Sequence, residues 1–140
     1  MLGGVPLTKV ANSELRERLV VVPQEPFLFE GFIAANLLFA KPELHRSDLD
    51  AAVAALDLGD WLDNLPDGLD TEVGERGAQM SAGERQLVAL IRASLVDPAV
   101  LVLDEATSRI DPHTQDLLGA AMDQLLAGRT AVVIAHRLET

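Results

Sequence analysis

LVLDEATSRID, residues 101–111, carries an apolar run straight into two adjacent carboxylates, Asp104 and Glu105. With Val100 in front, the run shows no polar alternation and is rich in β-branched residues. That is the pattern of a strand buried on both faces of a parallel sheet. LVVV at 19–22 and AVVIA at 131–135 share it. Parallel strands need long crossovers, and the spacing of apolar residues supplies them. Leu117, Leu118, Ala121, Met122, Leu125 and Leu126 fall at helical intervals between Asp111-Pro112 and Gly128, which predicts a crossover helix over 111–126. A second helix is predicted over 81–95, with Leu87, Leu90, Ile91 and Leu95 on one face and Asp97-Pro98 as its stop.

Between the first strand and that helix lies SDLDAAVAALDLGDWLDNL (47–65), which reads as one or two amphipathic helices broken at Gly59. This is a helical insertion in an α/β core. Trp61 falls at helical spacing and is expected to pack rather than to form a ligand platform. LPDGLDTEVGERGAQ (65–79), with its Gly and Asp residues, reads as an ordered loop.

The 140 residues are about the size of one domain. Acidic residues outnumber basic ones 22 to 11, and the net charge of −11 argues against nucleic acid or an anionic membrane as a partner. Without cysteine there is neither a disulfide framework nor a thiolate metal site. The start, MLGGVPLTKV, lacks the pattern of a secretory signal, and no apolar stretch approaches the roughly 18 residues that span a bilayer. The chain itself reads as soluble.

Parallel sheets place ligand sites at the carboxyl ends of their strands. Gln24 follows the first strand, Asp104 and Glu105 end the second, and His136 follows the third. Singly, each has a plain structural reading as a turn residue, a cap or a satisfied histidine. Together they converge on one volume, and a carboxylate pair there suits a magnesium ion and a water to be activated. The second signal is MSAGERQ, residues 80–86. Ser81 and Glu84 have the spacing of a capping box, while Ala82 and Gly83 leave the first helical turn bare enough to meet an anion.

In this order the motifs resemble those of the nucleotide-binding domain of ABC transporters. VLVLDEATS (100–108) is similar to the Walker B strand, MSAGERQ to the LSGGQ signature, SRID (108–111) to the D-loop, VVPQEPFLFEG (21–31) to the Q-loop, and AHR (135–137) to the switch histidine. TEVGERG (71–77) resembles the loop that precedes the signature in exporter-type members. The resemblance implies ATP and Mg2+ as ligands. Asp104 would hold the magnesium through water with Gln24 beside it, Glu105 would polarise the attacking water, and Gln24 and His136 would complete the catalytic set. Ser81, Ala82, Gly83, Glu84 and Asp111 would face the nucleotide. Ala82 and Glu84 depart from the usual glycine and glutamine of the signature, and Glu84 adds negative charge beside a phosphate site. Arg109 and Ile110 likewise replace the small and apolar pair usual in the D-loop.

No G-x-x-x-x-G-K-[ST] occurs in the 140 residues, and GGVPLTK (3–9) has neither the spacing nor the following hydroxyl. In the family that loop lies upstream of the Q-loop, where only 23 residues precede Gln24. The expectation is therefore a partial domain over 1–140: an α/β, P-loop NTPase (RecA-like) parallel sheet at 1–30 and 96–140, with an inserted α-helical subdomain at about 31–95. The implied activity is ATP hydrolysis coupled to export. The implied partners are a second nucleotide-binding domain, head to tail, and a transmembrane domain at the cytoplasmic face of the cell membrane. Two alternatives stand beside this reading: a noncatalytic module lending its signature helix to a partner's ATP, and a soluble ABC ATPase of the repair or chromosome type. The strand at 130–135 is expected to be an exposed edge.

Overall fold

A computed structural model describes residues 19–23, 26–39, 41–105 and 110–135, with the backbone alone at 105 and 133–135. Three strands, β1 (Leu19–Val22), β2 (Val100–Glu105) and β3 (Thr130–Ala135), form a parallel sheet in the order β1-β2-β3. Among the described residues β3 pairs on one side only, as an edge does. By alternation, Val20, Leu101 and Ala131 share one face and Val21, Val102 and Val132 the other. Leu101 and Leu103 are buried on the first, but Val21 and Val132 are 55% and 51% exposed on the second. The run pattern predicts burial on both faces. Among the described residues the second face is left open.

Among the described residues five α-helices follow in chain order: α1 (Ile33–Leu38), α2 (Arg46–Ala55), α3 (Gly59–Asp63), α4 (Ala82–Val96) and α5 (Pro112–Leu126). Helix α4 feeds β2, and α5 makes the crossover from β2 to β3. Both end where the sequence signals place them. Asp97 closes α4 in a left-handed conformation (φ 52°), and Arg129 grips that end by pairing with the Asp97 carboxylate (2.6 Å) and donating to the Pro98 carbonyl (2.9 Å). The break in the 46–63 segment is not at Gly59, which opens α3. It falls at Asp57, with φ 57°, because this left-handed residue lets Leu56 and Leu58 on either side both enter the core. Trp61 is partly buried against that core.

Helix α1 is not apparent in the apolar pattern. Six residues are too few to hold a helix alone, and a buried amide holds this one. Asn36, 1% exposed, accepts from the Phe29 N–H (2.7 Å) and donates to the carbonyls of Phe29 (3.0 Å) and Phe32 (3.1 Å). Arg92 of α4 then donates to the Asn36 carbonyl (3.2 Å), the Asn36 side-chain oxygen (3.5 Å) and the Phe27 carbonyl (3.3 Å). Burial pushes the Arg92 guanidinium below its ordinary pKa.

Removing the Asn36 amide strips partners from buried backbone groups, so Asn36→Ala is expected to cost about 2 to 4 kcal/mol of folding stability. Urea unfolding of the two proteins measures this directly. A shift in midpoint too small to distinguish from wild type would show that water replaces the amide.

Candidate functional site

The strand ends converge as the parallel register requires. Val22, the last residue of β1, pairs with Leu103, while Asp104 and Glu105 of β2 pair with Ile134 and Ala135 of β3. Gln24 and His136, each just beyond its strand, lie outside the described residues, as does the stretch from Ala106 to Arg109. The backbone therefore brings the two acids to the carboxyl edge beside the end of β3. Asp104 is half-buried, with Oδ1 withdrawn from water. Hard carboxylate oxygen is the donor type that magnesium selects, and magnesium commonly takes one or two protein carboxylates together with waters and substrate phosphates. Asp104 fits that requirement. Among the described residues no group of three or more His, Asp or Glu side chains is placed to hold a metal ion by itself.

The second part of the site is built from two helix starts. At α4, Ser81 Oγ accepts from the Glu84 N–H and the Glu84 carboxylate accepts from the Ser81 N–H, both at 3.1 Å. This is the capping box expected from the spacing. Ser81 is exposed, and its hydroxyl, accepting one bond, keeps an O–H to donate. At α5, the Asp111 carboxylate accepts from the Thr114 N–H (2.9 Å). A bond to the Thr114 side chain, foremost, and this backbone bond hold its pKa below the ordinary carboxylate value.

Gly83 joins the two starts. It is buried, and a Cβ placed there would collide with Thr114 Cγ2 and stand 3.0 Å from Ile110 Cγ2. Only a residue without a side chain lets α4 and α5 approach so closely at their positive ends. Ser81, Gly83 and Asp111 are thus brought into one neighbourhood.

Ahead of the signature, Ile33 and Val73 donate to the carbonyls of Thr71 (3.1 Å) and Gly31 (2.8 Å), tying the 71–77 loop to the entry of α1. Beside it, Phe27, Phe29 and Phe39 are 55%, 41% and 63% exposed, and their rings contact each other in sequence, with centroids 4.9 and 4.4 Å apart. With Arg92 they line a cavity of about 360 Å3. Sequence reasoning missed this patch. Its signal was available, since all four phenylalanines lie within residues 27–39, and exposed clusters of this kind mark interaction surfaces.

The ABC transporter family model matches residues 1–108. The chain belongs to the ABC transporter family. It is 43% identical over 141 residues to the ABC multidrug transporter mdr2 of Aspergillus fumigatus, covering 100% of this chain and 18% of that protein. It is 40% identical over 140 residues to the ATP-dependent lipid A-core flippase of Chromobacterium violaceum, covering 100% of this chain and 24% of that one. A solved structure, a bacterial Atm1-family ABC exporter with ATP bound, superposes with a TM-score of 0.80 at 38% identity over 94% of this chain and 23% of the other. The chain thus spans about a quarter or less of each of these relatives. The fold is α/β, a P-loop NTPase (RecA-like) parallel sheet with inserted helices, and the resemblance is to the ATP-binding domain of exporter-type members. Family members are ATPases in general. Among the described residues no helix is long and apolar enough to cross a membrane.

Because its folded pKa is depressed, the Asp111 cap adds stability that is present above the unfolded carboxylate pKa of about 3.9 and lost as pH falls through the lower folded value. Asp111→Asn keeps an acceptor for the Thr114 N–H but loses the titration. Urea midpoints followed downward from neutrality should therefore fall less steeply for the variant below about pH 4. Parallel curves would exclude Asp111 as a source of acid lability.

Proposed function

We propose that residues 1–140 form part of the ATP-binding and ATP-hydrolysing domain of an exporter-type ABC transporter, coupling hydrolysis to movement of a substrate across a membrane. The observation that carries this reading is the Asp104–Glu105 pair at the carboxyl edge of a parallel sheet; the two helix starts packed through Gly83 support it separately. In this reading the α/β core comprises 1–30 and 96–140, and the helical subdomain about 31–95.

Asp104 would hold Mg2+, and Gln24 would contribute to holding it. Magnesium, when bound with ATP, supplies charge neutralisation on the phosphates. Glu105 accepts the proton of the attacking water, and His136 and Gln24 orient the reacting groups from the neighbouring strands. The exposed hydroxyl of Ser81, with Ala82, Gly83 and Glu84 in the first turn of α4, meets the phosphates of a nucleotide held on a second, head-to-tail domain. Asp111 stands at the same face. The aromatic patch of Phe27, Phe29 and Phe39 and the 71–77 loop receive a transmembrane domain, which places the chain at the cytoplasmic face of the cell membrane. The net charge of −11 disfavours nucleic acid.

Glu105→Gln keeps the shape of the side chain and removes the base. In the full-length protein it is expected to lower ATP turnover by about two orders of magnitude or more while ATP stays bound. Undiminished turnover would refute the assignment.

The 140 residues alone present a different case. Phosphates in P-loop ATPases are cradled by consecutive backbone N–H groups and a lysine, and no such motif occurs in this sequence. Asp104 and Glu105 would then meet a polyanion with little to offset the repulsion. Calorimetric titration of magnesium-ATP into the 140-residue chain is expected to give no saturable binding. A second titration, into its mixture with an intact nucleotide-binding domain whose own signature serine is disabled, should restore it. Micromolar binding by the chain alone would overturn this expectation, while rescue in the mixture alone would favour a signature-lending role for these residues over an inert fragment.

A further inference from the structure

Three segments meet at Gly77. It is buried, with φ 76°, and closes the short turn Glu75–Gly77 that precedes the signature. A Cβ there would stand 3.0 Å from Arg85 Cδ and 3.2 Å from Leu28 Cδ1, and Leu28, itself fully buried, lies four residues after Gln24. Arg85, next to Glu84 at the start of α4, turns its guanidinium back along the chain. Its Nη1 donates to the carbonyls of Gly77 (3.3 Å) and Met80 (3.0 Å), and the Gly77 carbonyl also accepts from the Met80 N–H (3.0 Å). Met80 is the residue just before Ser81.

A cation at the start of a helix opposes the helix dipole, so formation of α4 does not by itself call for Arg85. Nor does capping, because the Ser81–Glu84 box already closes the helix end. That box fixes Ser81 with respect to α4. It leaves unfixed the direction from which the chain arrives, and Arg85 ties that direction to the turn and, across Gly77, to the segment that follows Gln24.

We propose that Arg85 is a positioning residue for Ser81. It sets the angle at which the signature turn leaves the 74–80 loop, and so the place at which the Ser81 hydroxyl is offered to phosphate. Displacement of the Leu28 segment presses on Gly77 and moves the two carbonyls that Arg85 holds, so the strand end and the signature turn shift together. The phosphate-facing role of Ser81 belongs to the function proposed above. The mechanical role of Arg85 stands on the hydrogen bonds alone.

The test has two arms. In the 140-residue chain, Arg85→Ala should speed amide exchange at residues 80–84 while exchange in β2 is unchanged, and Arg85→Lys should restore part of the protection. Unchanged exchange at 80–84 in Arg85→Ala overturns the proposal whatever the activity. In the full-length protein, Arg85→Ala should lower kcat and kcat/KM for ATP together by about ten-fold or more with KM little altered, as expected when an interaction made at the transition state is displaced. Gly77→Ala, which pushes on the same guanidinium and also on Leu28 and adds left-handed strain, should act in the same direction, with part of its effect remaining in the Arg85→Ala background. Full turnover in Arg85→Ala beside a Glu105→Gln variant that has lost it would overturn the positioning role and leave the proposed function standing. Full turnover in Glu105→Gln would count against the proposed function, with the exchange arm still deciding Arg85. Should Arg85→Ala fail to fold, Arg85→Lys and Gly77→Ala carry the same comparisons, and wild-type exchange and kcat in both overturn the proposal.

Discussion

The burial of helix α4 is the constraint on which the rest of the structure depends. Seven of its fifteen residues are buried, among them the run Leu87 to Ile91 and Ala93, so the helix is apolar around much more than one stripe. A helix of that kind must be enclosed by other elements. Here α1, α2, α5 and β1 all pack against it. At roughly 25 cal/mol for each Å2 of apolar surface removed from water, fully burying a leucine or isoleucine stabilises by about 1.5 to 3 kcal/mol. Leu87, Leu90 and Ile91 alone therefore outweigh any single polar contact at the site. Arg92, a cation that enters this packing, is held by three oxygen acceptors instead of a carboxylate, which lets it join α4 to the Phe27–Asn36 segment.

The site inherits its geometry from that enclosure. Because α4 is clasped along its length, its helical state and axis are set by the core, and the turn need add only the contacts that aim Ser81, those of the Ser81–Glu84 box and of Arg85. The turn is therefore free to carry residues chosen for other reasons: an exposed serine, a small alanine, and a glycine whose missing side chain admits Thr114. The acidic caps Glu84 and Asp111 satisfy helix-start N–H groups, and their negative charge interacts favourably with the helix dipoles. The same charge would oppose an incoming phosphate. Stability of the helix starts and affinity for an anion thus pull in opposite directions at Glu84.

Much of the architecture was legible because it is written in apolar periodicity. The three strands, α4 and α5 follow from runs and spacings, and the Ser81–Glu84 and Asp111 caps follow from residue type at helix starts. What stayed hidden depends on contacts distant in sequence. Helix α1 is held by Asn36 and Arg92, which are 56 positions apart, and no local pattern announces that bond. The left-handed Asp57 was overlooked because the nearby glycine is the stronger breaker by residue type, while burial of Leu56 and Leu58 decides the actual turn. Arg85 sits within the signature run, yet its partners are carbonyls, whose positions a sequence does not reveal. For the site the motifs supplied the identity of the residues, while the packing of α4 against α5 through Gly83 is a tertiary fact.

The abrupt passage from Val100–Leu103 to Asp104 and Glu105 has a physical basis in these relations. A central parallel strand has neighbours on both sides, so its backbone groups are paired along its length and its inward side chains are removed from water, as Leu101 and Leu103 are. A charge among them would lose its hydration without a partner. The carboxyl edge is different: β1 has ended opposite Leu103, and the chain is leaving the sheet. There a carboxylate can keep one oxygen near water while the strand beneath holds its backbone still. The sharp change from apolar to acidic thus marks the edge of the core, the one place on β2 where a charge can be both rigidly placed and accessible to a ligand.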